Sequence, residues 1–82
     1  MIQVKCLYFA FLREQFGISE EMVSIPENST VLNLLDGLIE SKNLNPNLKP
    51  LLKVAVNEGY TDFNVILKEG DEVVFVPPVA GG

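Results

Sequence analysis

Apolar and polar positions alternate from the start of the chain. In Ile2-Gln3-Val4-Lys5-Cys6-Leu7-Tyr8-Phe9 the even positions are all apolar or amphipathic. A period of two predicts a strand, with Ile2, Val4, Cys6 and Tyr8 facing a core. The odd face begins polar, at Gln3 and Lys5, and turns apolar at Leu7 and Phe9. From Phe9 the period changes. Phe9, Leu12 and Phe16 fall at i, i+3 and i+7, and Gly17 supplies a stop, which predicts a short helix. Glu21–Ile25 predicts a second strand, with Val23 and Ile25 inward, ended by Pro26. Pro26-Glu27-Asn28-Ser29 has turn chemistry. Thr30 (or Ser29) is then placed to cap a main helix. Val31, Leu34, Leu35, Leu38 and Ile39 form one stripe along that helix. Gly37 lies inside it, and close packing on the sheet is the expected reason.

The second half has shorter runs. Asn45-Pro46-Asn47 predicts a loop. Leu51–Asn57 predicts a third strand with Val54 and Val56 inward. A turn over Asn57–Tyr60 leads to a short extended piece at Thr61–Phe63. Val65–Leu67 is ambiguous and is compatible with a helical turn. Lys68-Glu69-Gly70-Asp71 is a tight turn before a last strand, Glu72–Val76. That strand is nearly all apolar, which predicts a central position with both faces covered. First and last strands lying parallel would satisfy this. One helix against one mixed sheet gives an α+β domain spanning residues 1–82.

One substantial helix covers one sheet face. Leu7 and Phe9 lie on the other face, joined by Val74 and Val76 if Val73 and Phe75 point to the core. The segment Phe11–Phe16 is the only available cover, and it is short. The expected result is an apolar docking face, with Arg13 at its rim to give orientation.

The chain continues through Pro77-Pro78-Val79-Ala80-Gly81-Gly82. The two prolines lack N–H donors and end ladder pairing. Six extended residues reach roughly 20 Å. Gly81 and Gly82 carry no Cβ, so such a tail can thread a narrow channel and its last carbonyl is open to attack. Residues 77–82 are therefore expected to form a functional tail.

Composition narrows the chemistry. Six Lys and Arg against eleven Asp and Glu leave a net charge of −5, which argues against nucleic acid and for a basic docking partner. Histidine is absent, removing the usual general base and the commonest metal ligand. The single cysteine, Cys6, falls on the inward face, where a small buried hydrophobe is expected rather than a sulfur-transfer group. No apolar run is long enough to span a bilayer, and no secretory signal precedes the first strand. A cytoplasmic location is expected.

Three stretches carry a resemblance: Tyr8-Phe9-Ala10-Phe11-Leu12-Arg13-Glu14, Val54-Ala55-Val56-Asn57, and Gly70-Asp71-Glu72-Val73-Val74-Phe75-Val76-Pro77-Pro78-Val79-Ala80-Gly81-Gly82. Together they resemble the ubiquitin-like sulfur carriers that form the small subunit of molybdopterin synthase. The likeness spans essentially the whole chain. Ala80 departs from it, since relatives often carry Ser or Thr there, and the first strand begins about two residues early.

The resemblance implies a ubiquitin-like β-grasp fold. It also implies adenylation of the Gly82 carboxylate by a ubiquitin-activating-like adenylyltransferase that uses ATP. Sulfur then replaces the adenylate to leave a thiocarboxylate. Gly81 lets the tail thread into the synthase large subunit, where sulfur passes to cyclic pyranopterin monophosphate during molybdenum cofactor biosynthesis. Catalysis belongs to the large subunit, within a heterotetramer, and no tightly bound cofactor is implied here. Leu7, Phe9, Arg13, Val74, Val76, Pro77, Pro78 and Val79 are the expected partner contacts. Alternatives left open are a sulfur carrier for thiamine biosynthesis, a ubiquitin-like protein modifier, and a plain interaction module.

Overall fold

The computed structural model describes residues 1–77. Five strands form one mixed sheet: β1 (Ile2–Tyr8), β2 (Glu20–Ile25), β3 (Lys53–Val56), β4 (Gly59–Thr61) and β5 (Glu72–Val76). Their order across the sheet is β2-β1-β5-β3-β4. β1 and β5 run parallel at the centre, with Tyr8 opposite Phe75. Every other pairing is antiparallel. Two α-helices, α1 (Ala10–Phe16) and α2 (Val31–Ser41), complete the α+β architecture. No helix among the described residues is long and apolar enough to cross a membrane.

The period-two reading of β1 holds. Val4 and Cys6 are fully buried, and Tyr8 nearly so, in one cluster with Leu34, Leu35 and Leu38 of α2. Val73 and Phe75 of β5 join them. Thr30 caps α2: its hydroxyl accepts from the Asn33 N–H, and the Asn33 side chain accepts from the Thr30 N–H. This reciprocal pair satisfies two donors that a helix start would otherwise leave open. The Val31 and Leu32 N–H groups, also in the first turn, donate to the carbonyls of Val65 and Phe63. That role explains why Val65–Leu67 is extended rather than helical. Val65 presents its carbonyl to α2, the Leu67 N–H donates to the Ser29 carbonyl, and Ile66 bridges Thr30 between them.

Three further expectations are corrected. Asn45–Asn47 is not simple loop, because Asn45 caps a 3₁₀ segment, Pro46–Leu51, with Pro46 suited to its first turn. The fourth strand starts at Gly59, two residues early, because Asn57 and Glu58 alone make the turn, both at positive φ. Gly37 does not pack closely on the sheet: a Cβ there would meet nothing within 4 Å.

One polar group of contacts ties the secondary elements together at the base of α1. The Tyr8 hydroxyl donates to Glu21 Oε2 at 2.6 Å, and Lys42 Nζ meets the same oxygen at 2.8 Å. Lys42 also lies 5.2 Å from the Phe16 ring centroid, and Phe16 stands edge-on to Tyr8 at 4.7 Å. Burial acts to raise the Glu21 carboxyl, but the hydrogen bonds from Lys42 and Tyr8 outweigh it and hold the group below its ordinary range. A lowered folded value means the unfolded chain binds the proton more readily. This contribution to stability is therefore present above the ordinary value of 4.5 and is lost as pH falls through the folded value. We expect stability in urea to decline below about pH 4.5, with a shallower decline in Glu21→Gln. Equal slopes for the two proteins would remove Glu21 from the account.

Candidate functional site

The parallel pairing of β1 and β5 sends both strands out of the same end of the sheet. β5 ends at Val76, and Pro77 beyond it is buried. At the same end β1 passes into Phe9, which is 51% exposed, and then into α1. Ala10, the first residue of α1, has φ +52°, a region that L residues other than Asn and Asp seldom enter. The chain therefore turns sharply here, leaving Phe9 at the sheet end next to the root of residues 78–82. Arg13 is exposed one turn into α1.

Helix α1 stays on the core side. Its Leu12 is 1% exposed within the main cluster, and Phe16 packs on Tyr8. Both contacts are with the face that α2 covers. The possibility that Phe11–Phe16 hides the opposite face is thereby excluded, and no described helix covers that face. Across it, register places Leu7 beside Val74, Val74 beside Ala55, and Ala55 beside Tyr60. Leu7, Val74, Ala55 and Val76 are half-buried, whereas Tyr60 is 73% exposed. Lys5 and Glu20, paired at 3.3 Å, flank this apolar row, as does Lys53, opposite Val76.

Leu7, Phe9, Val74 and Val76 are thus brought to one face and one end, as expected from alternation. Arg13 is nearby on α1. Pro78, Val79, Gly81 and Gly82 lie outside the described residues. Ala55 and Tyr60 were missed. Ala55 is legible in the sequence, because it lies between Val54 and Val56, both expected to face inward. Tyr60 needed the true start of β4. Cys6 is fully buried, and desolvation pushes its thiol up to about 12, so it is a neutral core side chain at neutral pH.

A sequence pattern described as the ThiS family matches residues 6–82. The chain belongs to the ThiS family. It is 36% identical over 86 residues to the molybdopterin synthase sulfur carrier subunit of Mycobacterium tuberculosis, with 100% of each chain covered. The putative molybdopterin converting factor subunit 1 of Pyrococcus furiosus is 29% identical with a TM-score of 0.80, covering 96% of this chain and 100% of that one. The small archaeal modifier protein 1 of Methanosarcina acetivorans is 26% identical with a TM-score of 0.78, covering 100% and 98%. The β-grasp fold expected from the resemblance is the fold found.

Two of the stretches that carry the ThiS-family likeness meet in space. Asn57 Nδ2 donates to Asp71 Oδ1 at 2.9 Å, and Asn57 Oδ1 accepts from the Glu72 N–H at 3.0 Å. Asp71 Oδ2 accepts from the Lys68 N–H, while the Asp71 carbonyl accepts from the Lys5 N–H at 2.8 Å. The β3–β4 turn is thus joined to the start of β5, and β5 to β1. This cluster sets where β5 begins and hence where the chain leaves the sheet. Asn57→Gly keeps the positive-φ backbone but loses both side-chain bonds, so a cost of about 1 kcal/mol is expected. Asn57→Ala adds left-handed strain of roughly 1 kcal/mol more. Thermal or urea denaturation reads both, and equal stability of Asn57→Gly and the parent would show that the side chain does not hold β5.

Proposed function

We propose that this protein is the sulfur carrier subunit of a molybdopterin synthase and works through the carboxylate of Gly82. The observation that carries the proposal is the end-to-end match to curated molybdopterin synthase sulfur carrier subunits, in a family pattern that runs through residue 82. The geometry agrees with it: an apolar face that no described helix covers lies beside the root of the tail.

The chemistry follows from the weakness of a carboxylate as an electrophile. The Gly82 carboxylate attacks the α-phosphate of ATP on an activating adenylyltransferase, and pyrophosphate leaves. A sulfur donor at the oxidation level of sulfide attacks the resulting acyl-adenylate. AMP departs and a thiocarboxylate remains. Docked on the large subunit, the thiocarboxylate sulfur displaces an oxygen substituent on a carbon of cyclic pyranopterin monophosphate. Water then hydrolyses the resulting thioester, which leaves the sulfur on the pterin and returns Gly82 as a carboxylate. Gly81 and Gly82 keep the approach free of side chains. Leu7, Phe9, Val74 and Val76 form the dock, with Arg13 at its rim. All of this chemistry we assign to the cytoplasm.

Similarity to an archaeal modifier protein supports a second reading, in which Gly82 forms isopeptide bonds with lysines. A reconstituted system separates the two. The full chain, a chain lacking Gly81 and Gly82, and Val76→Asp are each supplied with ATP, activating enzyme, sulfide, large subunit and cyclic pyranopterin monophosphate. We expect the truncated chain to melt like the parent, still bind the large subunit and yield no dithiolene product. Val76→Asp is expected to remain folded and to bind at least about tenfold more weakly, since a charge would have to be buried. Product from the truncated chain would refute the carrier reading, and lysine-linked conjugates without product would establish the modifier reading in its place.

A further inference from the structure

The two edges of the sheet differ. β4 is only three residues long, whereas β2 runs for six, from Glu20 to Ile25, with no proline or bulge. Alternation of the ladder fixes which β2 groups are spare. The Tyr8 N–H donates to the Ser19 carbonyl, while the Lys5 N–H and the Gln3 carbonyl turn toward the β5 side. Even residues of β1 therefore bond to β2, and the odd residues of β2 opposite them are engaged. The N–H and C=O groups of Glu20, Met22 and Ser24 point away from the sheet.

A groove of about 310 Å³ runs beside this edge, between β2 and α2. Val23, Ile25, Leu34 and Leu38 give it apolar walls, and Gly37 leaves it open, since a Cβ there would have no neighbour within 4 Å. α2 runs back along β2, as the Lys42–Glu21 pair shows, so Pro26 marks one end of the groove and Ser41 the other. Glu27 follows Pro26 and Glu40 precedes Ser41. Both are exposed and have no cationic partner among the described residues. The two acidic residues of β2 itself are already paired, Glu20 with Lys5 and Glu21 with Lys42.

We propose that β2 and this groove bind an extended peptide segment of a partner protein by strand addition, with alternate apolar side chains in the groove and basic residues at both ends. A strand added about 4.8 Å beyond β2 turns every second side chain toward α2, over the groove. Spare backbone groups supply affinity, the groove reads apolar residues at alternate positions, and Glu27 and Glu40 select basic ends. β1 separates β2 from β5, so this site is clear of the tail root and can be filled while the tail is in use. The unmatched glycine inside α2 acquires a reason: any side chain there would enter the groove.

The test uses the full chain and two labelled peptides, Lys-Lys-Val-Thr-Val-Thr-Val-Lys and the same peptide with Glu for each Lys, together with Leu-for-Val versions of both. A basic-ended peptide is expected to bind with Kd on the order of 100 μM, and the acidic-ended ones at least about tenfold more weakly. Amide shifts should concentrate at Glu20–Pro26 and Asn33–Ser41. Two variants block the site without threatening the fold. Gly37→Leu fills the groove and improves helix propensity. Ser24→Pro removes an outward N–H at an edge, where proline is tolerated. Each is expected to lower affinity about tenfold or more with the melting temperature kept, and Glu27→Lys with Glu40→Lys should reverse the preference for basic ends. Failure of both basic-ended peptides to bind, equal binding of acidic-ended ones, or binding indifferent to Gly37→Leu and Ser24→Pro would overturn the proposal. So would self-association of the chain that Ser24→Pro abolishes, because the edge would then serve a second copy.

Discussion

The parallel contact between β1 and β5 is the constraint on which the rest depends. It joins the two ends of the chain at the centre of the sheet, with Cys6 opposite Val73 and Tyr8 opposite Phe75. Both strands must then be apolar on the side that meets α2, and β5 is apolar on the other side as well. Parallel pairing also fixes direction. The exits of β1 and β5 lie at one end, so Phe9, Arg13 and the root of residues 78–82 are neighbours by topology. Any geometry with β5 antiparallel to β1 would send the chain out at the opposite end, away from α1.

The second determinant is where α1 goes. A seven-residue helix has little stability of its own and takes its position from packing. Here Leu12 anchors it in the core, while Phe16 closes against Tyr8 under Lys42. The Tyr8–Glu21–Lys42 contacts thus do more than satisfy a buried hydroxyl. They hold β1, β2 and α2 together at the place where α1 docks. With α1 committed to the core side, no described element covers the row from Leu7 to Tyr60. An 82-residue chain with one main helix has enough apolar surface for one complete core, and the remainder is available for association.

What could be read from the residues follows from how local the governing forces are. β1 and α2 have uninterrupted periodicity, and their apolar faces are the ones that meet the core, with Ile39 at its half-buried margin. β5, in contrast, is apolar on both faces, and only its pairing shows that Val73 and Phe75 point inward. A cap at Thr30 or Ser29 is legible from local sequence alone, and the reciprocal bond with Asn33 emerges only in the structure. Asn57–Gly59 misled because the left-handed positions are Asn57 and Glu58, while the glycine, which usually marks such a turn, lies one residue later. Val65–Leu67 could not be placed from its own pattern, since its conformation is set by donors on α2 far away in sequence. Glu21 shares the inward face of β2 with Val23 and Ile25, and only Tyr8 and Lys42, arriving from separate elements, give a carboxylate there its partners. The docking row was partly legible for the same reason: alternation gave Leu7, Val74 and Val76, but Tyr60 depended on a turn register that distant contacts decide.

The proposed function places the chemistry of this chain at one carboxylate, that of Gly82, presented by the fold for activation by a partner. Intact and fragment mass spectrometry after incubation with ATP, a competent activating enzyme and sulfide tests it most directly. The account predicts replacement of one oxygen by sulfur, located at Gly82, in parent protein and in a Cys6→Ala variant alike. An unmodified Gly82, or sulfur found at Cys6 instead, would contradict it.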